Sequence, residues 1–348
     1  MSRKKGVILS YVGLIIDILS GMIYVPFLLR SLGQAEYGIY SLTTTISSYL
    51  LLLDLGIGNA LVRYMAKYRV NKEDENQSKF YGLSIIFYTA IFLIAVIVGV
   101  ILCLIFPSAF SKGLTVEEIK LAQKLLFVTM LNAGFTLFVT FSKLLIAYEK
   151  YTAAKLIDMI KVIVRVSGCT LMLVFGAKSL AITIVNLAST ILMGIVTIIY
   201  VKSKIKIKPK FKNLQFSFIK EILNYTAFIL LQMVVVQINT MTDQILIGAL
   251  VEASAIILGI YAAGAQICQY FKAIALSVNG IIMPGVVELV ENKATTEDIY
   301  KEFLKISRIL FIILGIIWVG FLINGKYFIE LWAGQDASDA YYVALIIM

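Results

Sequence analysis

Apolar runs of about twenty residues recur along the chain, separated by short segments rich in lysine, arginine and other polar residues. A run of that length is what an α-helix needs to cross the roughly 30 Å hydrocarbon core of a bilayer. The pattern predicts spans near 7–29, 37–60, 80–106, 121–147, 155–176, 179–201, 222–250, 256–287 and 303–323, with a tenth starting near Tyr341. Stretches such as Leu83–Phe106 are apolar on every side. They lack the alternation over about ten residues that marks a transmembrane β-strand. The predicted class is an all-α polytopic membrane protein.

Loop charge gives these spans a direction, because cytoplasmic loops carry the excess of Lys and Arg. One side receives Arg3, Lys4 and Lys5, then Arg63, Lys67, Arg69, Lys72 and Lys79, then Lys150 and Lys155. It also receives the lysines of 202–220 and Lys293, Lys301, Lys305 and Arg308. The other side receives only Arg30, Lys112, Lys120, Lys178 and Lys326. The expectation is a cytoplasmic N-terminus in the inner (cytoplasmic) membrane. The basic start before an apolar run has the look of a signal peptide, but no small-residue cleavage site follows, and the run reads as a retained first helix.

The chain is also self-similar. Tyr37-Gly38-Ile39-Tyr40, opening the second span, matches Leu258-Gly259-Ile260-Tyr261, opening the eighth, at an offset of 221 residues. At that offset Phe106-Pro107, closing the third span, falls on Tyr327-Phe328 after the ninth. Copies of six helices each enter the membrane from the same side, which is a parallel repeat about an axis along the membrane normal. The expected organisation is a six-helix lobe over 1–201, a basic cytoplasmic linker over 202–220, and a second lobe over 221–348. The second lobe reads as incomplete, with about three and a half helices, so the sequence is expected to be truncated.

Composition narrows the chemistry. The chain is 60% hydrophobic with a mean hydropathy of +0.91, and its net charge of +10 is accounted for by loop lysines and arginines rather than by a nucleic-acid footprint. It contains no histidine, which excludes His-based triads, imidazole zinc sites and haem ligation by imidazole. Cys103, Cys169 and Cys268 lie far apart inside apolar runs and indicate neither a disulfide framework nor a metal site. No phosphate-binding loop, dinucleotide fingerprint or nucleotide-binding domain is present, and no cofactor is expected. Energy must come from an ion gradient, the membrane potential or the substrate gradient.

An ionisable side chain at mid-bilayer costs at least about 2.5–3.5 kcal/mol on insertion scales and is a functional candidate by default. Asp17, Arg165, Lys272 and Asp243 are such candidates. Helical spacing groups Lys155, Asp158, Lys161 and Arg165 on one face, Gln237, Thr240, Gln244 and Gly248 on another, and Tyr261, Lys272 and Asn279 on a third. The second span adds Thr43, Thr44, Thr45, Ser47 and Ser48. Polar stripes on apolar helices must face protein or water, so several of them imply a central cavity between two bundles. Arg165, Lys272 and Lys161 are the candidate basic substrate contacts. Asp17 and Asp243 are candidate coupling carboxylates or counter-ions, and Gln237, Thr240, Gln244 and Asn279 are candidate polar lining. The simpler readings are an ion pair between Asp158 and Lys161, and hydroxyls bonded to their own helix backbone. The segment from Lys202 to Lys212 alternates lysine with mostly apolar residues, which fits either a strip lying on anionic headgroups or an ordinary positive linker.

Tyr24-Val25-Pro26-Phe27-Leu28-Leu29-Arg30-Ser31-Leu32-Gly33, Glu36-Tyr37-Gly38-Ile39-Tyr40 and Leu53-Asp54-Leu55-Gly56-Ile57-Gly58 resemble the opening of bacterial polysaccharide-export flippases. These form the oligosaccharidyl-lipid branch of the superfamily that also holds multidrug and toxin extrusion transporters. Thr242-Asp243-Gln244-Ile245-Leu246-Ile247-Gly248 and Glu330-Leu331-Trp332-Ala333-Gly334 resemble parts of that family's second lobe. The resemblance implies two six-helix lobes working by alternating access on undecaprenyl-pyrophosphate-linked oligosaccharides, with cavity bases attracting the pyrophosphate. It also implies membrane lipids and glycan polymerisation machinery as partners. A cation-coupled multidrug exporter, favoured by Asp17 and Asp243, is the alternative. A membrane glycosyl polymerase or ligase is the third reading, disfavoured by short outer loops around 107–120 and 324–341.

Overall fold

The computed structural model describes the backbone at residues 3–139, 142–205, 207–211, 217–291 and 294–348. Side chains are described outside 1–12, 14, 17, 138, 140–141, 206, 212–226, 277–288 and 290–293. The described residues form helices α1 (Arg3–Leu32), α2 (Gln34–Ser48), α3 (Ile57–Val70), α4 (Asp74–Phe110), α5 (Val116–Val139), α6 (Lys143–Ala147), α7 (Tyr151–Val174), α8 (Ser179–Tyr200), α9 (Ser217–Leu250), α10 (Ser254–Glu291), α11 (Thr296–Ala333) and α12 (Ala340–Ile347). Among the described residues six stretches are long and apolar enough to cross a membrane: Gln34–Val70, Asp74–Phe110, Ser179–Ile205, Ala227–Leu250, Ser254–Leu276 and Thr296–Ala333. Helices α1, α5 and α7, of 30, 24 and 24 residues, run alongside them. Seven of the nine expected spans fall on one helix each, the second falls on α2 and α3 and the fourth on α5 and α6, and several helices overrun the apolar window. α11, for example, extends well beyond 303–323 at both ends, starting from a capping box between Thr295 and Asp298.

The second span departs from the expectation of one uniform helix over 37–60. A 3-10 segment, Tyr49–Asp54, separates α2 from α3, and Leu55 (φ 49°) and Gly56 (φ 74°) are both left-handed. Only glycine adopts that conformation without steric cost, so Gly56 places the break. Asp54, 9% exposed, sits at the start of α3. Its carboxylate accepts the Tyr88 hydroxyl at 2.8 Å and the Gly58 N–H at 3.4 Å.

Pro26 and Pro107 lie inside helices, and each leaves the carbonyl four residues earlier without its usual amide donor. Pro26 frees the Met22 carbonyl, which accepts the Trp332 indole N–H at 2.7 Å. Pro107 frees the Cys103 carbonyl, which accepts the Gln123 amide at 2.8 Å. The third span, expected to close at Phe106-Pro107, therefore continues to Phe110.

The helices form a two-lobe bundle, and among the described residues the most extensive helix–helix contact is the one where α2 crosses α10. The crossing is at backbone distance. A Cβ on Gly38 would lie 2.1 Å from the Ala255 carbonyl oxygen, and one on Gly259 would lie 2.3 Å from that of Gln34. The turns on either side exchange contacts. The α9–α10 turn meets the α4–α5 turn, where Ser254 N–H donates to the Gly113 carbonyl at 2.9 Å. The α1–α2 turn meets the end of α11, where Arg30 donates to the Leu331 carbonyl at 2.8 Å. Reciprocal contacts of this kind are what a two-fold relation between repeats produces. At the opposite, basic end, the extended segment 207–211 lies on α4. Lys210 N–H donates to the Ser78 carbonyl at 3.0 Å, and Ile205 and Ile207 pack on the apolar core. Cys103, Cys169 and Cys268 are free thiols.

Candidate functional site

The seam between the lobes is built from hydroxyls on α2 and amides on α9. Thr43 and Thr44 donate to the Tyr40 carbonyl at 2.9 and 2.8 Å, and Ser47 donates to that of Thr43 at 2.7 Å, so part of the cluster bonds its own helix. Other hydroxyls reach across. Gln244 accepts from Ser41 at 3.3 Å and also from Thr45, Gln237 donates to Ser48, and Tyr49 bonds Thr242 at 3.2 Å. These partners run antiparallel along α2 and α9 and join the lobes where lipid could satisfy none of them.

Beside this seam lies a cavity of about 470 Å³ between α1, α2, α7, α8, α9 and α10. The volume is within the roughly 300–1,000 Å³ of ordinary small-molecule sites. Arg165 is the one charged residue among its described lining, which contains no carboxylate. The guanidinium stands close enough to Tyr24, Tyr40 and Cys169 to act electrostatically on each. The Tyr40 hydroxyl also accepts the Asn186 amide at 3.2 Å.

Of the residues singled out from the sequence, the cavity brings together Thr44, Thr45, Arg165, Thr240 and Gln244. Gln237 is engaged with Ser48 outside the lining. Asp243 accepts the Tyr261 hydroxyl at 2.7 Å, joining α9 to α10 away from the lining. Lys161 lies on α7 within electrostatic reach of both Asp158 and Arg165. Lys272 is exposed on α10, near Cys268, and does not line the cavity. The side chains of Asp17 and Asn279 lie outside the described residues. Sequence reasoning missed Tyr24, Tyr37, Tyr40, Asn186, Gln266, Gln269 and Tyr270, all of which line the cavity. On α10 the signal was present in the spacing of Ala262, Gln266, Gln269 and Ala273, a stripe distinct from that of Tyr261 and Lys272.

Comparison with known proteins agrees with this architecture. The chain is similar to a putative O-antigen transporter of Shigella flexneri, 21% identical over 97% of this chain and 78% of the relative. Its fold is similar to that of the lipid II flippase MurJ in an inward closed conformation. The TM-score there is 0.70 at 20% identity, covering 97% of this chain and 71% of that one. It is also similar to an inward-facing multidrug resistance MATE family transporter of the MOP superfamily. The TM-score there is 0.67 at 12% identity, covering 97% and 79% of the two chains. These relatives are transporters and flippases rather than enzymes, and the two-lobe helical fold is shared with them. The family described as polysaccharide biosynthesis protein matches residues 2–290, and the chain belongs to that family.

Proposed function

We propose that this protein moves undecaprenyl-pyrophosphate-linked oligosaccharide units from the inner to the outer leaflet of the cytoplasmic membrane for cell-surface polysaccharide synthesis. The observation that carries the reading is the inter-lobe cavity in which the cation Arg165 is the one charged residue among the described lining. A pyrophosphate entering a low-dielectric site needs such a partner, and a guanidinium offers it several donors in a fixed fork. Lys161, on the same helix, extends the basic track. The lobes 1–201 and 221–348, joined by the basic linker 202–220, rock about the α2–α10 crossing, with the N-terminus and linker on the cytoplasmic side. Similarity to an O-antigen transporter and to a lipid II flippase fold supports the substrate class. Glycan polymerisation machinery would receive the product on the far side.

The test follows labelled lipid-linked saccharide in a strain lacking the gene. Accumulation on the cytoplasmic leaflet, relieved by the gene but not by an Arg165→Ala version at equal protein level, is the expected result. Normal crossing without the gene would overturn the reading.

The shared fold with a multidrug transporter keeps a cation-coupled exporter as the second reading. Cationic drugs call for an acidic site, and the described lining supplies none. Hypersensitivity of the deletion strain to cationic drugs, with normal saccharide crossing, would favour it.

A further inference from the structure

The proposed phosphate contact leaves one wall of the cavity without a task. Gln266, Gln269 and Tyr270 stand on successive turns of α10, flanked by the small residues Ala262, Ala265 and Ala273, and face the same space as Arg165 of the other lobe. The other amides of the seam are engaged by the protein: Gln244 by Ser41 and Thr45, Gln237 by Ser48, and Asn186 by Tyr40. Gln266 and Gln269 have no hydrogen-bond partner among the described residues. Each therefore presents one acceptor and two N–H donors to the cavity. Inside a membrane such groups are met by water or by a ligand.

The chemistry of this wall is specific. Primary amides carry no net charge and offer donors and acceptors together, so they do not select one sign of charge. They complement groups that donate and accept at once, such as vicinal hydroxyls and acetamido groups. Tyr270 adds an aromatic body with an electron-rich face, against which the apolar C–H face of a pyranose packs. Its ring is anchored against α1, because a Cβ on Gly21 would lie 2.6 Å from the Tyr270 hydroxyl oxygen. The alanines keep the wall recessed between the longer side chains.

We infer that this α10 wall, Gln266 and Gln269 with Tyr270, reads the glycan of the cargo while Arg165 on the opposite lobe reads its phosphate. The inference rests on the flippase reading above and divides its site into two parts. Phosphate is common to every polyprenyl-linked cargo, so selection between sugars falls to the α10 wall. A site built to hydrogen-bond a hydroxyl discriminates because its own polar groups are left unpaired by the wrong ligand.

The test measures binding of two probes to the purified full chain in nanodiscs: undecaprenyl pyrophosphate and undecaprenyl-pyrophosphoryl-N-acetylglucosamine. The unaltered protein should prefer the sugar-bearing probe by on the order of tenfold, as two or so hydrogen bonds allow. The Gln266→Ala/Gln269→Ala variant should bind both probes alike, at the unaltered protein's affinity for the bare lipid, which also shows that it is folded. Arg165→Gln should weaken both probes and keep their ratio. A preference retained in the double variant, or none in the unaltered protein, overturns the glycan wall and leaves the flippase reading standing. Failure of the unaltered protein to bind either probe removes both.

Discussion

Gly38 and Gly259, 221 residues apart in a repeated sequence pattern, lie against each other's helices where α2 crosses α10. The crossing is possible only because neither residue has a Cβ, since each would fall 2.1–2.3 Å from a backbone oxygen of the other helix.

Gly38→Ala should therefore wedge the crossing open. In a background without the native cysteines, Ala255→Cys should be unreactive toward a membrane-impermeant maleimide, since Ala255 is buried. Adding Gly38→Ala should make that thiol react. An unchanged labelling rate would show that the helices slide without parting.

The Trp332 indole satisfies the Met22 carbonyl that Pro26 frees. Trp332→Phe should cost about 1 kcal/mol, the net worth of a typical hydrogen bond, since this one is only partly buried. Thermal unfolding in detergent reads the loss. Pro26→Ala in the same chain should return part of it, because residue 26 then supplies the missing amide. Simple additivity in that double-mutant cycle would rule out the compensation.

Asp54 holds the α2–α3 break through Tyr88 and the Gly58 amide. Asp54→Ala removes the acceptor of both donors and should destabilise by about 1–3 kcal/mol. Asp54→Asn keeps an oxygen acceptor and should lose less. Equal melting points for the two variants would contradict this account.

At the α3–α4 turn, Glu73 accepts from Asn76 at 2.8 Å and from Asn71 at 3.0 Å. These bonds, that from Asn76 first, hold its carboxyl below the ordinary 4.5. A lowered folded value means the bonds stabilise the turn above that ordinary value and are lost as pH falls through the folded one. Amide exchange across residues 71–77, corrected for its intrinsic rate, should rise as pH drops below about 4.5. Asn76→Ala should shift the onset to higher pH, and an unmoved onset would dismiss the hydrogen bonds as its cause.

The sequence by itself determined roughly where the apolar helices lie, which end is basic, and which glycines repeat. Those properties depend on local composition: about twenty apolar residues make a span wherever they occur. Pattern alone also located Arg165 and the α9 residues Gln237, Thr240 and Gln244 as polar positions in apolar helices. It could not say which stripe of α10 meets the cavity, because lipid and protein are both apolar neighbours and the deciding fact is the partner helix. Lys272 and Gln269 look equally eligible along the chain, yet only Gln269 lines the space shared with Arg165. The donors for the Met22 and Cys103 carbonyls, 310 and 20 residues away, were likewise decided only by packing. A helix pattern records what must avoid water, while hydrogen-bond partners inside a membrane are set by which helices come together.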